Sequence, residues 1–380
     1  MGSSLPGLPF FVRYLRTMAI TEILINKIKK EGPVSFHDFM EMALYYPSLG
    51  YYDAAHNRIG ERGDYYTSPV LSSLFGNMIG RQLEEMWYIL DKKPFTIIEY
   101  GAGTGAFCYD ILRYLKSNEA LYADLRYCII EKSEAMRKLE RYNLTEKVSW
   151  YGSINEIVEI NGCVLSNELL DNFPVHKVIM KDELMEAFVD YQNGFIEVLQ
   201  PAKEDLKMYL QEQGITLPKD YTTEINLQAI SWIRDIASRL KRGFVLTIDY
   251  GFSASELYSP KRNSGTLICY KDHETNDLPY SNIGSQDITA HVNFTALNHW
   301  GKKYGLEYTG YTTQDHFLRS LGLVNYLRQL EMDQTTDNKN LIIQVQKLLM
   351  EMGNKFKVLI QQKGVKNKGL SGIQFPFQEP

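Results

Sequence analysis

The stretch FTIIEYGAGTGA, residues 95–106, decides the fold: an apolar run rich in β-branched residues ends on three glycines, Gly101, Gly103 and Gly105, and a helical pattern follows over 107–115. This order predicts a strand, a tight glycine turn and a helix. A helix N-terminus reached through such a turn presents free N–H groups and a partial positive charge, and glycine lets a ligand come close to the backbone. Gly101, Gly103 and Ala106 also satisfy the G-x-G-x-x-[GA] dinucleotide spacing, which leaves an NAD(P)-dependent oxidoreductase open. Two further residues weigh against it. Glu99 stands two places before the first glycine and Gly105 occupies the fifth place of the turn, giving acidic-x-G-x-G-x-G. A carboxylate there would repel a pyrophosphate, whereas it would attract the ammonium and sulfonium groups of S-adenosyl-L-methionine. The turn therefore reads as the seat of that methyl donor.

Outward from the turn, a second strand over 125–130 ends on Glu131, placed to accept hydrogen bonds from both ribose hydroxyls of a nucleoside. A helix runs on through Tyr142, and a third strand over 148–151 leads to Ser153, which lies where an adenine amino group would bind and equally suits a helix N-cap. A fourth strand over 164–166 ends on Asn167 and Glu168, and a fifth spans 244–248. Strands alternating with helices predict an α/β fold with a doubly wound parallel sheet. About 75 residues separate the fourth and fifth strands, far beyond an ordinary connection, so an insertion is expected. It opens with a hairpin, 186–190 and 195–199 about Asn193-Gly194, and closes with a helix over 227–240. Upstream, helical patterns cover 20–30, 35–46 and 71–90, with a Gly- and Tyr-rich ordered loop over 47–69. After Gly251 a polar, Tyr-rich loop runs to about His291, then a helix over 295–304, and the final 25 residues show no periodicity. The expected organisation is an N-terminal helical region with a cofactor-covering loop (1–90), a core (91–175 and 241–360), an inserted subdomain (176–240) and a C-terminal tail (361–380).

Apolar residues at 44% and charged residues at 23% are ordinary globular usage, and a formal charge of −5 provides no overall field for nucleic acid. Cys108, Cys128, Cys163 and Cys269 form no CxxC pair, which argues against a zinc site or a disulfide framework and for a reducing compartment. No metal is expected. No apolar run reaches the roughly 18 residues a spanning helix needs. Between Met1 and Met18 two arginines, Arg13 and Arg16, without acids fit a short organelle-targeting segment as well as a cloning remnant or an upstream start codon. The expected location is a bacterial cytoplasm, with a mitochondrial matrix as the alternative, and a homodimer is left open.

Six blocks carry a family resemblance: FMEMALYYPSLGYYD (39–53), GDYYTSP (63–69), IEYGAGTG (98–105), SNELLDNFP (166–174), IDYG (248–251) and DITAHVNFTAL (287–297). Over residues 20–360 the chain resembles the MidA-like methyltransferases, which include a mitochondrial complex I assembly factor and bacterial relatives. The resemblance implies a class I Rossmann-like methyltransferase fold, S-adenosyl-L-methionine as cofactor and, for the mitochondrial member, arginine methylation of a complex I subunit. Asn293 stands where many relatives have Asp, and the chain runs past Met352-Gly353 into an extra basic tail.

In open α/β sheets ligands sit outside the carboxyl ends of the strands, so the glycine turn, Glu131, Asn167, Glu168 and Asp249 should surround one crevice. A guanidinium offers no lone pair, and methylating it requires carboxylates that hold its planar fork and localise its charge. Glu168 and Asp171 are the candidates, provided a helix starts at once after the fourth strand and turns both to one side. Otherwise they are helix-end acids stabilising a dipole. His291 could orient a substrate carboxylate or act as a base near neutral pH, or be structural. Asp64, flanked by Gly60, Gly63 and Pro69, belongs to a loop suited to closing over the cofactor. Besides a protein arginine methyltransferase and an oxidoreductase, a non-catalytic assembly chaperone that binds its partner through the inserted hairpin remains open.

Overall fold

A computed structural model describes residues 8–53, 68–144, 146–332, 335–366, 369–374 and 379–380. Its main sheet contains seven long strands: β1 (Phe95–Tyr100), β2 (Leu125–Ile130), β3 (Val148–Tyr151), β4 (Ile160–Asn167), β5 (Leu240–Phe252), β6 (Glu307–Thr313) and β7 (Phe356–Lys363). They lie in the order β6-β7-β5-β4-β1-β2-β3. Strands β3, β2, β1, β4 and β5 are parallel, and β7 runs antiparallel to both of its neighbours, β5 and β6. The dinucleotide-binding sheet has its sixth strand next to the fifth. Here an antiparallel strand from the far end of the chain is inserted between them.

Side chains alternate across this sheet, and both faces are covered. Ile97, Leu165, Leu246 and Ile360 join a core with the helices Ser73–Ile89 and Ala106–Leu115 on one side. Ile98, Val164, Val245 and Leu359 join a second core with the helices Leu227–Arg239 and Phe294–Lys303 on the other. Burial on both faces explains why β4 and β5 read as apolar runs without alternation. Two helices on the first side start on serine caps: Ser72 accepts from Leu74 N–H, and Ser133 accepts from Met136 N–H to open Glu134–Asn143.

The expected hairpin is present, with Leu184–Tyr191 paired to Phe195–Pro201 and Asn193 in the left-handed region at φ 56°. Two further strands of the insertion, His176–Met180 and Thr222–Ile225, pair beside it, and Val34–Ser35 from the N-terminal segment pairs with Leu184–Tyr191. A third core joins Leu24, Phe36 and Phe39 from the N-terminal helices to Val189 of the insertion and Ile288 further on. The N-terminal segment and the insertion thus pack as one body.

Two segments differ from their sequence reading. The stretch after Gly251, expected to be loop, contains a three-stranded antiparallel sheet of Ile268–Lys271, Glu274–Asn276 and Asp287–Thr289. The final 25 residues, expected to lack periodicity, begin with β7, whose residues up to Gln362 are buried in the middle of the main sheet. Its apolar run is only Val358-Leu359-Ile360, between lysines and glutamines, so hydrophobicity alone does not reveal a central strand. Among the described residues no helix is long and apolar enough to cross a membrane. All four cysteines are buried and unpaired.

Candidate functional site

Parallel pairing brings the carboxyl ends of the strands to one rim, because Tyr100 lies opposite both Ile130 and Ser166, and Ile248 opposite Asn167. At the end of β1 the chain turns through Gly101 (φ 65°), Gly103 (φ 58°) and Gly105 (φ 81°), all left-handed. Any L side chain there would be strained. Gly105 is the N-cap of Ala106–Leu115 and makes no side-chain cap, so that helix start offers its N–H groups to a ligand.

Glu99 lies beneath the turn, 2% exposed, and its carboxyl accepts from Tyr127 Oη–H at 2.7 Å. Burial pushes its pKa up to about 7, against a smaller lowering by the Tyr127 bond. At the end of β2, Glu131 Oε1 accepts from Ser133 N–H at 2.7 Å, and burial raises the Glu131 pKa. Asp53 joins this corner from the N-terminal segment, accepting from Ser133 Oγ at 2.8 Å. Asn167, at the end of β4, donates to Glu168 Oε1 at 3.0 Å and leaves its own Oδ1 buried without a partner among the described residues.

Beside this rim lie four carboxyls. Asp249 is fully buried and accepts from the N–H groups of Leu169 (3.1 Å), Leu170 (2.8 Å) and Tyr250 (2.8 Å). Asp287 accepts from Tyr52 Oη, from Asn172 Nδ2 and from Ile288 N–H. The fold itself fills the acceptor positions of these two. Glu168 is different: its Oε1 accepts from Ser68 N–H and Asn167 Nδ2, both at 3.0 Å, and no described residue bonds its Oε2. Asp171 is 4% exposed, and its Oδ1 is buried without a partner among the described residues. The two acids expected from the sequence are therefore the two with an oxygen that no described residue bonds.

Electrostatics follows from this crowding. Burial first, and then the charges of Asp249 and Asp287, push the Glu168 pKa up to about 8 despite its two hydrogen bonds. Asp171 is raised well above the usual carboxylate range, first by burial and then by Asp249, Asp287 and Glu168. Asp171 and Asp249 lie within hydrogen-bonding reach of each other, which two carboxyls tolerate only by sharing a proton. The charges that act most strongly on Glu168 and Asp171 are those of the neighbouring carboxyls. Such crowding suits a cation that arrives from outside.

The local geometry corrects the expectation of a helix straight after β4. Glu168 takes a left-handed φ of 51°, and the three residues Leu170–Asn172 form one 3-10 turn. Three residues carry no substantial helix dipole, so dipole stabilisation does not account for Asp171. The two acids approach because Asp249 ties down the intervening backbone at Leu169 and Leu170.

Ser153 takes the capping role: its Oγ accepts from Asn155 N–H at 3.2 Å in a capping box completed by Glu156. His291 does not fit a base at neutral pH. Burial, Arg262 and Lys357 push its pKa down to about 4, so it is neutral and weakly basic. Asn293 caps Phe294–Lys303 and donates to Tyr209, Gln213 and Tyr258, a packing role that needs an amide. Asp64 and the lid expected around it lie outside the described residues. Sequence patterns do not single out Asp53, Tyr52, Asn172 or Asp287 individually. Each lies inside a block that carries the resemblance, which is the available signal.

The three left-handed glycines, the uncapped helix start and the orphaned Asn167 Oδ1 fit a ligand that brings a backbone-hugging segment and a hydrogen-bond donor to this rim. A family model described as "Putative S-adenosyl-L-methionine-dependent methyltransferase" matches residues 78–312, more than half of the chain. The chain is 27% identical over 376 residues to a bovine protein named protein arginine methyltransferase NDUFAF7, mitochondrial, with 88% of this chain and 81% of that protein covered. A homolog of that protein from Caenorhabditis elegans is 28% identical, with 90% and 86% covered. Among solved structures, a protein of Burkholderia thailandensis bound to S-adenosyl-homocysteine superposes with a TM-score of 0.87 at 28% identity, covering 99% of this chain and 98% of that one. The nicotinamide reading that the glycine spacing left open falls on this finding and on the antiparallel β7. The chain belongs to this family of S-adenosyl-L-methionine-dependent methyltransferases, and S-adenosyl-L-methionine is its cofactor.

Proposed function

We propose that the chain methylates a guanidino nitrogen of an arginine in a protein acceptor, with a subunit of respiratory complex I or its bacterial counterpart as the acceptor class. The observation that carries the reading is the group of four crowded carboxyls, in which Glu168 Oε2 and Asp171 Oδ1 receive no hydrogen bond from the described residues. The names of the similar bovine and nematode proteins support the same acceptor chemistry. The resemblance supports a cytoplasmic location in a bacterium or, alternatively, a mitochondrial matrix.

In this reading Gly101, Gly103 and Gly105 take the cofactor against the backbone, Glu131 accepts from its ribose hydroxyls, and Asn167 and Glu99 face its methionyl end. Ser153 contributes at the adenine end only through what its cap leaves free. The cofactor supplies a methyl group on a sulfonium. Glu168 and Asp171 accept N–H bonds from the acceptor guanidinium and hold its plane, concentrating its charge away from the attacking nitrogen. As the N–C bond forms and the S–CH3 bond breaks, its electron pair staying on sulfur to leave S-adenosyl-homocysteine, the attacking nitrogen loses a proton that Glu168, with a pKa near 8, is placed to take. Asp249 is a positioning residue, fixing the turn that carries both acids.

The test is transfer of labelled methyl from S-adenosyl-L-methionine to respiratory-complex subunits, followed by hydrolysis and identification of the labelled amino acid. Methylarginine is the expected product. Labelled methyl on another residue would refute the arginine acceptor. Tight cofactor binding with no transfer to any of these subunits would favour the non-catalytic assembly chaperone.

A further inference from the structure

A second charged group lies beside the acids, with the opposite sign, and the proposed reaction leaves it unused. Three elements bring nitrogen-bearing side chains to the Phe252 ring at the end of β5. Arg262, closing the 3-10 turn Pro260–Arg262, stacks its guanidinium 3.7 Å from the ring centroid. Lys357, near the start of β7, places Nζ 5.6 Å from the same centroid. His291 precedes Val292–Asn293, which pairs in parallel with Gly251 and Phe252, and its ring lies 5.1 Å from Phe252 at 63°.

These cations are poorly compensated. Lys357 is only 8% exposed, and the acceptor on its ammonium is the carbonyl of Asn354. Arg262 meets Glu256 at 3.4 Å, a surface carboxylate whose side chain is 52% exposed and whose attraction is therefore weak. His291 Nδ1 is buried with no partner among the described residues. A buried ammonium with one carbonyl partner, held beside a guanidinium of like charge, is unfavourable unless an anion completes the group. Burial lowers the Lys357 pKa, the nearby Glu256 carboxylate offsets only part of this, and Arg262 lowers it further.

The register of β5 with β7 sets Lys357 opposite Asp249, so this group adjoins the acids. The Tyr250 ring lies parallel to the His291 ring at 6.5 Å and 11°, and the charges of Glu168, Asp171 and Asp249 also act on it. We propose that Arg262, Lys357 and His291 form an anion subsite that takes the side-chain carboxylate of an aspartate or glutamate near in sequence to the acceptor arginine in the substrate polypeptide. The pairing rests on the arginine reading of the acidic pocket. The substrate would then lie across the rim with its cation among the acids and its anion among the bases, a dipolar match that fixes both register and direction.

The probes are N-acetylated, C-amidated alanine peptides with one arginine and a glutamate placed one to four residues away on either side, each with a glutamine counterpart. Binding to the S-adenosyl-homocysteine-loaded protein is followed by fluorescence anisotropy. Glutamate at one offset, on one side of the arginine, should bind at least tenfold more tightly than glutamine. The His291 imidazole should become easier to protonate as the peptide binds, read by nitrogen NMR. In Arg262→Gln and in Lys357→Gln the preference should fall below twofold with S-adenosyl-homocysteine affinity unchanged. If Lys357→Gln does not fold, Arg262→Gln carries the test, since its side chain is nearer the surface. Equal binding of glutamate and glutamine peptides at every position overturns the subsite, as does a preference that survives in Arg262→Gln. The same peptides are then offered with S-adenosyl-L-methionine. An intact glutamate preference with no methyl transfer to any peptide would refute the arginine reading and leave the anion subsite standing.

Discussion

Glu168 makes a prediction that links activity to stability with opposite signs. Its pKa near 8 means that about a tenth of the protein carries an ionised Glu168 at pH 7 and about nine-tenths at pH 9, one pH unit to either side. The acceptor guanidinium keeps its charge over this range, so the slope reports on the enzyme. If the ionised form holds the guanidinium and takes the proton, kcat/KM for the acceptor should rise about tenfold from pH 7 to pH 9 and fall away as pH drops below 8. Glu168→Gln should remove the slope and lower the rate by orders of magnitude, since a charge-assisted bond in a water-poor site is lost. Folding responds the other way. A carboxyl whose pKa is raised on folding binds more proton in the native than in the unfolded chain between pH 4.5 and 8. Stability accordingly falls as pH rises through that window. Each pH step of one across it is worth about 1.36 kcal/mol, so the opposing free energy above pH 8 is at most on the order of 4 to 5 kcal/mol. Glu168→Gln should therefore melt several degrees higher than wild type at pH 9 and nearly equally at pH 5, measured by differential scanning calorimetry. A rate flat between pH 7 and pH 9 with saturating cofactor, or a variant as active as wild type, would refute the role. Equal melting shifts with pH in both proteins would show that Glu168 is not the group carrying the raised pKa.

Other outcomes test the cofactor side. Gly103→Val should abolish S-adenosyl-L-methionine binding by calorimetry, because a β-branched side chain is strongly disfavoured at φ 58° and would fill the approach to the backbone; wild-type affinity in the variant would remove the turn from the site. Glu131→Ala should weaken cofactor binding by about 1 to 3 kcal/mol through two unpaired ribose hydroxyls, and an unchanged Kd would make Glu131 a structural strand end. With a pKa near 7, Glu99 should give a cofactor Kd about tenfold weaker at pH 6 than at pH 8, a slope that Glu99→Gln should abolish. His291→Asn should leave the pH profile of methyl transfer between 6 and 9 unchanged, since a group with a pKa near 4 does not titrate there.

The parallel half of the sheet was legible because its signals are local: an apolar β-branched run, a breaker and a helical period, repeated from β1 to β5. The antiparallel strand was not, because β7 is held in the sheet by partners distant along the chain, β5 on one side and β6 on the other, rather than by its own composition. Its lysines and glutamines are those of a surface segment, and pairing on both edges is what buries them. The same distinction runs through the site. Glu168 and Asp171 could be picked out from the chemistry a guanidinium demands, but the reason they point together could not, because it lies in Asp249, about eighty residues later, whose carboxylate grips the backbone between them. Nor could the sequence separate the two acids whose oxygens the fold satisfies from the two that the proposed function assigns to the substrate. Three of them are buried and Glu168 is half-buried at the same rim, and what divides them is the count of donors each receives among the described residues: three backbone N–H groups on Asp249, a tyrosine, an amide and an N–H on Asp287, and none on one oxygen of Glu168 and of Asp171. Crowding four carboxyls together is unfavourable unless something offsets it, and for two of them hydrogen bonds from the fold already do so in part, although Asp249 is still raised to about 7. Glu168 and Asp171 have raised pKa values with fewer such bonds, and under the proposed function a bound guanidinium would recover that destabilisation.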